Sequence, residues 1–158
     1  MRIRILAVGR LREDYLRAAA ADYAGRLRPY AQLEVVEVPG LPDPARPTAA
    51  AVAKVRGEEA ALLLRRMKPD ETLVALDPGG RTLTSEEFAA FLQPHEAAGK
   101  TLVFAVGGSW GLGRELLERA AARISLSAMT FPHGLARVIL MEQLFRAFRI
   151  MRGEVYHK

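Results

Sequence analysis

The chain has 158 residues, 50% hydrophobic and 26% charged, with a formal net charge of +5 and no cysteine. That length supports one domain, 1–158, around a single core, and the missing thiols exclude disulfides, thiolate zinc sites and cysteine nucleophiles. The positive balance suits an anionic partner such as RNA, yet many housekeeping enzymes share it, so charge alone selects no function.

Ile3 to Val8 reads as a buried strand stopped by Gly9. The basic and apolar start resembles part of a signal peptide, but its apolar run is too short. Arg10-Leu-Arg-Glu-Asp14 follows it without a small-residue cleavage site, so the expectation is a cytoplasmic protein. Leu11 to Leu27 carries Leu16, Ala19, Ala20, Tyr23 and Leu27 at helical spacing and ends before Pro29. Leu33 to Val38 is a second strand. Four prolines within 39–47 then make a surface loop, and Thr48 N-caps a long helix to Met67.

Thr72 to Leu76 is a buried strand with a turn at 77–80, and Thr84 to Glu87 carries a capping box for a helix to about Gln93. Thr101 to Val106 is the most apolar strand. It runs into Gly107-Gly-Ser-Trp-Gly-Leu-Gly113, followed by a helix from Arg114 to about Arg123. Ile124 to Met129 is the last strand, Pro132 turns the chain, and Gly134 to Arg152 is the final helix. No stretch approaches the roughly 20 apolar residues of a membrane span. His95, His133 and His157 are too scattered for a metal site.

Short apolar strands alternating with helices predict an α/β fold with a mostly parallel sheet and helices on both faces. Ligands of such sheets sit beyond the carboxyl ends of the strands. That rule groups the turn after Leu76, the glycine loop after Val106 and the turn after Met129. The glycine loop lacks a Walker Gly-Lys-Ser/Thr and the dinucleotide spacing, so phosphate-bearing cofactors are disfavoured. It reads equally as a tight strand-to-helix connection. Leu126 to His133 offers small hydroxyl residues and then Phe131-Pro132, suited to main-chain bonds around an adenine, although Met129 and Phe131 also fit a core. In the last helix Val138, Met141, Leu144, Phe145, Phe148 and Met151 form an apolar face. Arg146, Arg149 and Arg152 lie along another face, where a solvated ridge and a phosphate-tracking ridge are the two readings. From Ile124 onward Arg137, Arg146, Arg149, Arg152 and Lys158 outnumber Glu142 and Glu154.

Ile5 to Gly9, Glu37-Val-Pro39, Leu76-Asp77, Val106-Gly-Gly108 with Gly111-Leu112, and Leu126 to His133 occur in order, followed by Arg137 to His157. This ordered set resembles the RlmH family of SPOUT-class methyltransferases over essentially the whole chain. The resemblance implies a deep C-terminal trefoil knot, with knot and cofactor site in about 72–158, and a homodimer. It implies S-adenosylmethionine as cofactor and, as substrate, N3 of a pseudouridine in a hairpin loop of 23S rRNA on the assembled ribosome. By motif match, Leu76, Gly107, Gly108 and Leu126, Ser127, Ala128, Met129, Thr130 and Phe131 carry over as cofactor contacts.

His157 and Tyr156 are the candidates for shaping the acceptor pocket, with Arg146 stabilising charge and His133 a competing base. Arg137, Arg149, Arg152 and Lys158 are the candidate RNA contacts. Two rival readings are weaker. A nucleotide-binding oxidoreductase needs an early glycine fingerprint that Gly9-Arg-Leu-Arg12 does not supply. A non-catalytic ribosome-binding factor leaves the glycine loop unexplained.

Overall fold

Apolar strands alternating with helices build an α/β architecture in the described residues, 1–155, of the computed structural model. Its five strands are β1 (Arg2–Val8), β2 (Gln32–Val38), β3 (Thr72–Thr82), β4 (Thr101–Val106) and β5 (Ala122–Ser125). They pair in parallel throughout, in the order β2-β1-β4-β3-β5. The helices are α1 (Asp14–Leu27), α2 (Ala49–Leu64), α3 (Ser85–Ala97), α4 (Arg114–Arg119) and α5 (His133–Met151).

Side chains alternate across a strand. β1 therefore sends Ile3, Ile5 and Ala7 into one core and Leu6 and Val8 into another. Leu27 of α1, Phe88 and Leu92 of α3, and Leu140, Leu144 and Phe148 of α5 cover the first face. Ala60 and Leu63 of α2 and Leu116 of α4 cover the second. Both faces are buried, as a parallel sheet requires. At the amino ends of the strands Arg4 is buried, and its guanidinium bonds Glu34, Glu71 and the carbonyl of Arg66 at 2.7–3.0 Å.

The predicted elements all exist, but several boundaries move for identifiable reasons. The turn expected at 77–80 is instead part of β3, which continues to Thr82 with a register irregularity: Leu76 and Arg81 both pair with Ile124. α3 runs through Pro94 to Ala97, because the Pro94 carbonyl still accepts from the Ala98 N–H at 3.0 Å. α4 ends at Arg119, where the chain turns into β5 and the Ala121 N–H bonds the Leu73 carbonyl at 2.8 Å. β5 stops at Ser125 and does not reach Met129. The Ser125 hydroxyl donates to the Ser127 carbonyl at 2.9 Å, and the Met129 N–H donates to the Ser127 hydroxyl at 3.0 Å. Such local side-chain bonds compete with a sheet ladder and curl the chain.

The apolar face of α5 is absorbed within its own chain. Met141, Leu144, Phe145 and Phe148 all lie in the first core, with Phe148 stacked on Tyr30 at 5.9 Å. Phe148 is fully buried where α1, α5 and the sheet meet, so Phe148→Ala should lower stability by about 3–5 kcal/mol. Urea denaturation followed by circular dichroism measures it; a loss under about 1 kcal/mol would contradict the packing described.

Candidate functional site

The loops at the carboxyl ends of β3 and β4 and the segment after β5 enclose a cleft of about 470 Å³. That size suits a small organic ligand. β3 contributes Leu76, Asp77 and Pro78, the glycine loop contributes Gly107 to Leu112, and the segment after β5 contributes Leu126, Ser127, Met129, Thr130 and Phe131. His133 and Ala136 close it from the first turn of α5, Leu117 from α4, and Arg56 from α2.

The glycine loop folds back on itself. A Cβ on Gly107 would lie 2.6 Å from the carbonyl carbon of Gly111 and 2.9 Å from the Leu112 nitrogen, so no other residue fits without displacing backbone. Gly111 has φ +82°, a left-handed conformation suited to glycine, and its N–H bonds the Gly108 carbonyl at 3.0 Å. This turn carries Trp110 toward the proline-rich segment, where its indole N–H donates to Asp43 at 2.7 Å. Arg56 donates through Nε to the Trp110 carbonyl. The proline-rich segment is thus tied to the glycine loop.

Glu59 lies beneath that junction and is buried. Its Oε1 accepts from the Leu41 N–H at 3.0 Å, while Oε2 has no partner among the described residues. A Cβ on Gly108 would lie 3.0 Å from Oε2, so helix and loop are in close contact. Burial pushes the Glu59 carboxyl up; the Leu41 N–H opposes the shift and the charge of Asp43 adds to it. Opposite, Asp77 is held by the Arg123 guanidinium.

Of the residues expected to bind cofactor, Leu76, Gly107, Gly108, Leu126, Ser127, Met129, Thr130 and Phe131 meet in this one cleft. Ala128 is exposed and does not line it. His133 does line it. Tyr156, His157 and Lys158 lie outside the described residues. Arg146 is paired with Glu142 at 2.6 Å, ten residues along α5 from Ala136. That is about 15 Å at helical rise.

The surface role expected for Arg137 is corrected. Its side chain is 2% exposed, is paired with Glu37 and donates to the Gly9 carbonyl at 2.9 Å, so it fastens α5 to the ends of β1 and β2. Arg149 pairs with Glu154 at 2.7 Å and Arg152 with Glu96 at 2.6 Å, so the expected ridge consists of ion pairs. An exposed pair is worth only about 0–1 kcal/mol, and a phosphate can exchange for its carboxylate. Sequence reasoning missed Arg56, Asp43 and Glu59: each sits in a segment read as generic helix or loop, and only the fold brings the first two to Trp110 and the third to Gly108.

The chain matches the family described as "Predicted SPOUT methyltransferase" over residues 1–157. It is 49% identical over 156 residues to a ribosomal RNA large subunit methyltransferase H of Pelotomaculum thermopropionicum, covering 98% of each chain. It is 46% identical over 159 residues to a protein of that name in Carboxydothermus hydrogenoformans, covering 100% of each. A crystal structure of a probable methyltransferase from Bordetella pertussis Tohama I superposes with a TM-score of 0.58 at 20% identity, covering 92% of this chain and 93% of that one. That last likeness is one of fold.

Two outcomes follow from the loop and the carboxyl beneath it. Gly107→Ala should shift the emission of Trp110, the one tryptophan, and lower stability by about 1–3 kcal/mol through overpacking; unchanged fluorescence and stability would contradict the close approach. Glu59 holds its proton in the native state at pH values where the unfolded chain has released it, so native stability falls as pH rises from the ordinary carboxyl range through the raised value. Glu59→Gln lacks that proton. Its stability relative to the parent should rise with pH across this window and level off above it. Identical pH dependence of the two denaturation midpoints would contradict the burial effect.

Proposed function

The chain belongs to the SPOUT methyltransferases and within them to the RlmH family, and from that premise we propose that it transfers a methyl group from S-adenosylmethionine to N3 of a pseudouridine in a hairpin loop of 23S rRNA. The reading places it on the assembled ribosome in the cytoplasm, as a homodimer of single-domain chains. The observation that carries it is the meeting of Leu76, Gly107-Gly108, Leu126, Ser127, Met129, Thr130 and Phe131 around one cleft. A C-terminal trefoil knot belongs to the same reading. Its support is the crossing at β5, where a Cβ on Gly80 would lie 2.6 Å from the Arg123 carbonyl carbon while β3 pairs with β5 on both sides of the excursion.

The residues present fit this cofactor. The cleft offers main chain, hydroxyls and apolar side chains, suited to a nucleoside without phosphates, and Arg56 is the one lysine or arginine among its described lining residues. S-adenosylmethionine supplies an electrophilic methyl on a cationic sulfur. Leu126 to Phe131 and Leu76 hold the adenosine, and Gly107 and Gly108 let backbone approach it. Leu112, Leu117 and Phe131 exclude water, which favours a step in which anion and cation neutralise each other. N3 of pseudouridine gives up its imide proton as its lone pair takes the methyl, so the protein must receive a proton and align the acceptor.

His133 at the cleft and His157 in the tail are the candidates for that proton, with Tyr156 shaping the acceptor side. Within one chain Arg146 is about 15 Å from the cleft, so its stabilisation of the anion calls for the second subunit. Arg149 and Arg152 then meet rRNA by exchanging ion pairs for phosphates, with Lys158 as a further phosphate contact.

Calorimetry should show binding of S-adenosylmethionine. Ribosomes from cells lacking the protein should gain one methyl on the target pseudouridine when treated with it, read by mass spectrometry of the 23S rRNA. Naked rRNA should react far more slowly. No methyl gain despite cofactor binding would overturn the substrate, and no heat of binding would overturn the cofactor.

A further inference from the structure

We propose that Arg56 receives the carboxylate of the methyl donor's amino-acid arm and so fixes which way the donor lies in the cleft. The inference rests on the cofactor reading above and adds to it a binding residue and an orientation. Arg56 lies on α2, on the opposite side of the sheet from α5, and reaches the cleft at the wall formed by the glycine loop. Its Nε donates to the Trp110 carbonyl, which holds the guanidinium against that wall. Neither Nη group bonds a described residue.

The carboxylates around the cleft each accept a bond already, Glu59 through one oxygen only. Asp43 takes the Trp110 indole N–H, Glu59 takes the Leu41 N–H and is buried, and Asp77 is bound by Arg123. A ligand anion entering the cleft therefore meets one anchored guanidinium with both of its amino groups open. A planar fork of that kind matches a carboxylate through charge-assisted bonds. S-adenosylmethionine carries a single anionic group, the carboxylate at the end of its amino-acid arm. With adenosine against Leu126 to Phe131, that arm runs along Gly107 and Gly108 toward Trp110. The carboxylate then ends at Arg56.

The test compares two nucleosides on the full chain by calorimetry. S-adenosylhomocysteine keeps the amino-acid arm, and 5′-methylthioadenosine keeps the adenosine and sulfur without it. Arg56→Ala should weaken S-adenosylhomocysteine about ten- to a hundredfold, the loss expected for a hydrogen bond to a charged group, and leave 5′-methylthioadenosine unchanged. Arg56→Lys keeps the charge without the fork and should fall between. Equal weakening of both ligands would overturn the proposal and assign Arg56 to loop shape alone. Unchanged binding of both would overturn it by placing the carboxylate elsewhere. Failure of the parent protein to bind either nucleoside would instead overturn the cofactor reading, and the proposal with it.

Discussion

The double pairing of Ile124 is the constraint on which the cleft depends, because Leu76 and Arg81 of β3 both lie opposite it. The four residues between them leave the ladder and cross over the Arg123-Ile124 peptide, where Gly80 has no space for a Cβ. Asp77 at the start of this excursion is held by Arg123 of the strand it crosses. β5 therefore pairs with β3 both before and after the excursion. The chain leaving it curls on Ser125 and Ser127 into the far wall of the cleft. Had β3 stopped at Leu76, the segment 126–132 would have no fixed start.

The same geometry accounts for where the charges went. α5 starts beside the end of β1, and a buried arginine holds it there: Arg137 joins Glu37 of β2 to the carbonyl of Gly9. A charge enclosed this way is expensive unless its partners are good, and removing one partner is more damaging than never having had the pair. Further along α5, Glu142, Glu154 and Glu96 each meet an arginine. The arginine-rich end of the chain thus presents local ion pairs more than an open positive surface. Its attraction for a phosphate is the difference between two anions competing for each guanidinium, and that difference shrinks as salt rises.

Fold class and cleft were legible because they follow from short-range rules. Alternation of apolar strands with helices gives a two-faced parallel sheet, and the carboxyl-end rule groups Leu76, Gly107 and Leu126 before any contact is known. The capping box at Thr84 and the N-cap at Thr48 appear as expected, with side-chain bonds to Glu87 and Ala51. What escaped depends on pairs distant in sequence. Nothing in Arg137 itself distinguishes an interior ion pair from a surface cation; its partner lies 100 residues away. Asp43 and Trp110 are 67 apart, and Arg56 and Trp110 are 54 apart. The ends of β5 and α4 escaped because serine side chains and the entry to a new strand, not periodicity, ended them.

These long-range ties give the two ends of the cleft different characters. At the Trp110 end, loop, helix and proline-rich segment are cross-linked by Asp43, Arg56 and Glu59, so a ligand there meets a prearranged wall and little ordering remains to be done on binding. At the other end Met129 and Thr130 are exposed, and Met129 is 73% accessible. A methyl donor placed as proposed, with its carboxylate at the rigid end, would present its sulfur between these two regions. Placed as proposed, Arg56 would neutralise that carboxylate and leave the donor's ammonium and sulfonium as its two positive charges. On the proposed reading, an anionic nitrogen approaching over exposed Met129 and Thr130 would be drawn toward the positive donor, with the acceptor side open and the Trp110 side closed.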